Sequence, residues 1–287
     1  MTDAHPKAHD AGLDVAHLCL LDALACAFQA LQQPACTKVL GPVVPGATMS
    51  FGARVPGTSL QLDPVQAAFN LGTLIGWLDQ REPTLATGPG HLSDALGALL
   101  SAGDYFARKS LAEGHEPLKV RDVLSALLAA DARIPVSIDA SHRATECRAA
   151  IEVACATSVA SLLGGSPAQI RRARELATDD LRPVPSDVTR RPRWWLGDAN
   201  ARGTRLALLA LAEGDGATES PVPQPPAQGP RPTVDKATGT RVQERFLAAV
   251  ALHFPPAQAE KIKALYTDRP RLEALPINEL VSLTVRN

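Results

Sequence analysis

The sequence predicts an all-α protein. Apolar residues recur at three- and four-residue spacing along most of the chain, the signature of amphipathic helices. Apolar residues make up 45% of the sequence and are dominated by Ala and Leu, while aromatics are only 4%. That balance favours packed helices over a β-sandwich. The 287 residues suffice for one large domain or two modest ones with a real core.

The first helix is expected over Ala16–Leu31, where HLCLLDALACAFQAL carries the helical spacing and Gln-Gln-Pro ends it. The next stretch, VLGPVVPGATMSFGARVPGTS, is rich in Pro and Gly and reads as a structured loop. Pro64 then stands in the first turn of PVQAAFNLGTLIGWL, a position where its missing N–H does no harm. Further helical windows are SDALGALLSAGDYFARKSLAEG, VRDVLSALLAADA, ECRAAIEVACATSVASLLG, SPAQIRRARELATD and ANARGTRLALLALAEG. Several close on Gly, a common helix stop.

Composition changes abruptly after Gly214. EGDGATESPVPQPPAQGPRPTVDKATG offers no apolar period and reads as a linker or long surface loop. VQERFLAAVALHF and PAQAEKIKALYTD then resume helical spacing, before the ending PRLEALPINELVSLTVRN. Short amphipathic helices cannot bury their apolar faces alone, so these are expected to pack back onto the first helical body. The expected organisation is residues 1–213 as the first part of a helical domain, 214–240 as a Pro/Gly-rich linker, and 241–287 as a segment returning to that domain.

With 29 basic and 30 acidic residues the net charge is -1, so no general field attracts nucleic acid or an anionic membrane. Neither is expected as a partner. No apolar run is read as approaching the roughly 20 residues that span a bilayer. The start MTDAHPKAHD lacks a basic segment followed by an apolar one, so the cytoplasm is the expected location. Five cysteines, Cys19, Cys26, Cys36, Cys147 and Cys155, form no C-x-x-C pair. They argue against a disulfide framework or structural zinc, and no metal is expected.

Three segments, in this order, resemble the MmgE/PrpD family, and particularly its members that dehydrate 2-methylcitrate. They are PACTKVLGPVVPG with VPGTSLQLDPVQAAFNLGTLIGWLD, then GPGHLSDALGALLSAGDY, and last DRPRLEALPINELVSL. The likeness runs from about Ala16 to Gly214 and resumes near Arg241, and it is weakest from about Arg133 to Arg193. It implies a large helical domain built from the beginning and end of the chain, with the family's smaller inserted α+β domain almost absent. It also implies a metal-independent hydro-lyase with no cofactor, acting on 2-methylcitrate or a similar polycarboxylate, and a homodimer.

Removing water from such a substrate requires a base, an acid and cations for the carboxylates. In WLDQREPTLATGPGHLSDALG the resemblance places Asp79 and His91 on the family's catalytic aspartate and histidine, with Ser93 and Asp94 keeping their places. Arg191, Arg193 and Lys38 are the expected contacts to substrate carboxylates, with Ser93 beside them. Other positions depart from the family. Pro83 replaces a threonine, Cys147 stands where a second histidine belongs with His142 nearby, and Pro192 replaces a lysine. These losses leave a second reading, a non-catalytic remnant or a homodimeric binding module, and a third, an enzyme with a remade pocket. On the residues alone, Asp79 and His91 lie in or beside a Gly/Pro-containing loop where a polar side chain can simply cap a backbone end.

Overall fold

The computed structural model describes residues 4–87, 90–131, 143–179, 192–214 and 234–286. Its helices run α1 Ala4–Ala30, α2 Pro34–Thr37, α3 Pro64–Gly76, α4 Leu96–Ala112, α5 Val120–Asp131 and α6 Arg143–Leu162. They continue as α7 Pro167–Asp179, α8 Trp195–Glu213, α9 Lys236–His253, α10 Pro256–Thr267, α11 Arg269–Ala274 and α12 Ile277–Leu283. Among the described residues strands are confined to two antiparallel ribbons, β1 Ala53–Arg54 with β2 Gln61–Leu62, and β3 Ala86–Thr87 with β4 Gly90–His91. The fold is all-α.

At the centre α8 lies between α3 and α6, and α4 packs on α3. Three glycines make this close approach possible. A Cβ on Gly72 would sit 2.9 Å from the Gly197 Cα, and one on Gly97 would sit 2.8 Å from the Gly72 nitrogen. Asn200, fully buried on α8, stitches the same junction. Its Oδ1 accepts from the Ala98 N–H at 2.7 Å, and its Nδ2 donates to the Asp94 and Leu196 carbonyls, each at 2.8 Å. Asn200→Ala leaves the Ala98 N–H and the Asp94 carbonyl without that partner in a dry core. The expected loss is about 3 kcal/mol, read from denaturant midpoints, since each buried orphan costs about 1–3 kcal/mol. A loss below about 1 kcal/mol would mean that water reaches the junction.

The C-terminal helices pack on this body: α9 against α1, α12 against α4 and α5, and α11 against α5. Backbone bonds fasten them. The Gly57 N–H donates to the Thr284 carbonyl at 2.7 Å and the Val120 N–H to the Leu275 carbonyl at 2.9 Å. His253 on α9 stacks on Phe28 of α1 and bonds the Gly57 carbonyl at 2.7 Å through Nε2.

Three details differ from the sequence reading. Helix α1 begins twelve residues before Ala16, and Pro6 within its first turn sits where proline is tolerated. Gly12–Ala30 is long and apolar enough to cross a membrane by length and composition, although 83% of that window is buried inside the helical body. Helix α9 starts at Lys236, inside the stretch read as linker, because Asp235 accepts the Thr238 N–H at 2.7 Å and caps it. Residues 215–233 of that stretch lie outside the described residues.

Candidate active site

The expected catalytic stretch forms one loop joining α3 to α4. Past the end of α3, Asp79 adopts a left-handed backbone, φ 50°, which turns the chain and leaves its carboxylate exposed. Asp, with its short polar side chain, is among the residues that tolerate this region. Arg81 then points inward and pairs with Asp94. Glu82 caps the short 3₁₀ turn Pro83–Leu85, accepting from Thr84 Oγ1 at 2.9 Å. The β3–β4 ribbon brings the chain back, pairing Ala86 with His91.

His91 is buried, with 6% of its surface exposed. It opens a second 3₁₀ turn, Leu92–Ala95, through a reciprocal cap. Its Nδ1 accepts the Ser93 N–H at 3.2 Å and lies 2.7 Å from Ser93 Oγ, while the His91 N–H donates to Asp94 Oδ2 at 2.8 Å. With Nδ1 accepting, the ring proton sits on Nε2, which donates to the Glu82 carbonyl at 3.0 Å. The imidazole is therefore neutral and satisfied at both nitrogens. Burial holds its pKa below the ordinary value, and the neighbouring Arg81 guanidinium pushes the same way.

Beneath the loop lies a carboxylate that sequence reading did not single out. Asp22, fully buried in the middle of α1, accepts the Glu82 N–H at 3.0 Å, pairs with Arg245 of α9 and lies 4.0 Å from His91 Nε2. Burial pushes its carboxyl upward, with Arg245 pulling it down. A signal was present, because a lone Asp within an apolar helix demands a buried partner. Spacing could not say which one.

The other expected site residues fall in three places. Ser93 is buried against His91. Arg193 sits at the C-terminal end of α3, donating to the Trp77 carbonyl at 3.1 Å with its guanidinium 6.0 Å from the Trp77 ring centre. It thus stands at the same helix end as Asp79. Lys38 is exposed at the end of α2, on a loop tied by Gly41 to Asn70 in the middle of α3, and so away from that end. Arg191 and His142 lie outside the described residues, and Cys147 is placed only as part of α6. The described thiols are buried, and burial pushes Cys26 up to about 11 and Cys36 up to about 12, far from the thiolate a nucleophile or metal ligand needs. Among the described residues no group of three His, Cys, Asp or Glu side chains is disposed to hold a metal.

Burial also lowers the pKa of His17 and His253. The three imidazoles bind protons more readily in the unfolded chain below about pH 6.5, so each withdraws stability as the pH falls from there. Asp22, Asp104 and Glu152, raised by burial, act in the opposite sense above about pH 4. His253→Gln keeps a donor for the Gly57 carbonyl and removes one imidazole. It should flatten the fall of unfolding free energy between pH 6.5 and 5 relative to the parent; an unchanged slope would contradict the assignment.

The described residues form a helical body that carries a polar loop over buried ion pairs, with Asp79 and Arg193 at the C-terminal end of α3. Residues 4–223 match the profile of the MmgE/PrpD N-terminal domain, and the chain belongs to the MmgE/PrpD family. It is 42% identical over 206 residues to the 2-methylcitrate dehydratase of Escherichia coli K12, a match covering 69% of this chain and 42% of that protein. The 2-methylcitrate dehydratase of Cupriavidus necator matches at the same identity and coverage. The mitochondrial 2-methylcitrate dehydratase of Yarrowia lipolytica is 35% identical over 219 residues, covering 72% of this chain and 42% of its own. The chain thus spans less than half the length of these relatives.

Proposed function

We propose that this protein is a hydro-lyase of the 2-methylcitrate dehydratase type, removing water from 2-methylcitrate or a similar small polycarboxylate in propionate breakdown. The observation that carries the reading is the match of residues 4–223, which hold the Asp79–His91 loop, to the MmgE/PrpD N-terminal domain, together with 42% identity over 206 residues to such an enzyme. Exposed Asp79 takes the proton beside a substrate carboxylate, and Arg193, with Arg191, holds carboxylate groups, while Lys38, on a loop away from that end of α3, is left out of the contacts. His91, once protonated at Nδ1 with Ser93 Oγ accepting that proton, delivers Nε2–H to the departing hydroxyl and returns to the neutral imidazole, so the Glu82 carbonyl that now accepts Nε2–H must move aside first. No metal or other cofactor takes part in this scheme.

Residues 1–213 and 241–287 form one helical domain in this proposal, and 214–240 stand where the relatives carry further sequence. The working form is a cytoplasmic homodimer that binds neither nucleic acid nor membrane, in keeping with a net charge of -1. Purified protein should convert 2-methylcitrate to an unsaturated product followed by ultraviolet absorbance, and Asp79→Asn should lower kcat at least 100-fold, the lower end of what general acid–base groups contribute. Equal rates for the two proteins would remove Asp79 from the mechanism.

The burial of His91 favours a second reading. An imidazole with both nitrogens engaged is a working cap, and groups that act as a unit lose nearly all catalysis when several are missing. In that reading the chain folds and self-associates without turnover, and binds polycarboxylates weakly or not at all.

A further inference from the structure

The loop over His91 is gripped by a helix that lies beyond the family-matched residues 4–223. Helix α9 presents Arg241 and Arg245 one turn apart, on one face. Arg245 donates to the Gln80 carbonyl and pairs with Asp22, and its Nη2 also reaches the Asp22 carbonyl oxygen at 3.3 Å and Cys26 Sγ at 3.2 Å. Arg241 Nη2 lies 3.4 Å from Glu82 Oε1 and 2.9 Å from Thr238 Oγ1. Asp22 completes the grip by accepting the Glu82 N–H.

We propose that Arg245, assisted by Arg241, is a positioning residue that fixes loop 79–85 over His91 and makes the C-terminal helix a part of the site. The Glu82 carbonyl that occupies His91 Nε2–H lies two residues from the Gln80 carbonyl that Arg245 holds. Fixing one end of this short span fixes the other. Buried charges set this geometry more sharply than apolar contacts would, because a guanidinium donates along fixed directions. The catalytic consequence rests on the hydro-lyase reading; the structural consequence does not.

The test replaces the pair together, Asp22→Leu with Arg245→Met. Exchanging a buried ion pair for apolar residues of similar size is often neutral for stability, so the unfolding midpoint should stay near the parent's. Amide hydrogen exchange at Gln80–Leu85 should nevertheless speed up at least tenfold, while exchange in α4 and α8 is unchanged. A purely structural pair would move local and global protection together. Unchanged exchange in the loop of the folded double variant overturns the proposal.

Should the double variant fail to fold, Arg241→Ala alters a half-exposed side chain and should speed exchange at Glu82 at least threefold; no change there overturns it equally. Arg245→Lys should restore part of the protection lost in Arg245→Met. If the parent turns over 2-methylcitrate, Arg245→Lys should change kcat more than KM, because it alters how readily the Glu82 carbonyl leaves His91 Nε2–H. A parent without turnover sinks the hydro-lyase reading and leaves the exchange result to decide the positioning role.

Discussion

Gly197→Val should abolish cooperative folding or lower stability by about 4 kcal/mol or more, the range reserved for severe overpacking of a core. Gly197 begins α8 where it crosses α3. Even a Cβ there would press into Thr73 Oγ1 and the Phe69 carbonyl oxygen and come within 2.9 Å of the Thr73 nitrogen. Two of these atoms are backbone, so no rotamer change relieves the overlap, and the helices must separate. Separation would also pull Asn200 away from the Ala98 N–H and the Asp94 carbonyl. Since whole domains are held by only about 5–15 kcal/mol, little stability would remain. Guanidinium unfolding followed by far-ultraviolet circular dichroism checks it; a midpoint near the parent's would show that α3 and α8 do not cross there.

Arg81→Leu should cost about 3–5 kcal/mol, the usual consequence of stranding one member of a buried ion pair. Asp94 is 3% exposed, and after the substitution only the His91 N–H would remain of the two partners described for its carboxylate. Adding Asp94→Asn removes the stranded charge and keeps an oxygen for that N–H, so the double variant should recover at least half of the loss. Additive losses would instead assign the effect to the packing of the Arg81 stem.

Helical periodicity made most of the helical body legible in the sequence. The windows that became α3, α4, α5, α7 and α10 each carry an apolar stripe that faces the core. What spacing could not reveal are contacts between distant elements. Asp22 and Arg245 are separated by 223 positions, and Asn200 and Ala98 by 102. The early start of α1 was hidden because its first turns lack apolar periodicity, and that of α9 because its capping Asp235 sits in a Pro-rich neighbourhood. At the site, the residues on one loop were legible together, Asp79 at its start and His91 at its end. Whether His91 faces substrate or caps a turn depends on side-chain partners brought by Glu82 and Ser93, and no local pattern encodes that choice.

The most direct test separates the cap from the acid at position 91. Asparagine is a good helix-capping residue, so His91→Asn can accept the Ser93 N–H yet cannot exchange a proton near neutral pH. The account predicts that the parent dehydrates 2-methylcitrate, and that His91→Asn unfolds at nearly the same midpoint with turnover reduced at least 100-fold. A folded parent without turnover, or a variant that keeps the parent's rate, would contradict it and leave His91 as a structural cap in a non-catalytic member of the family.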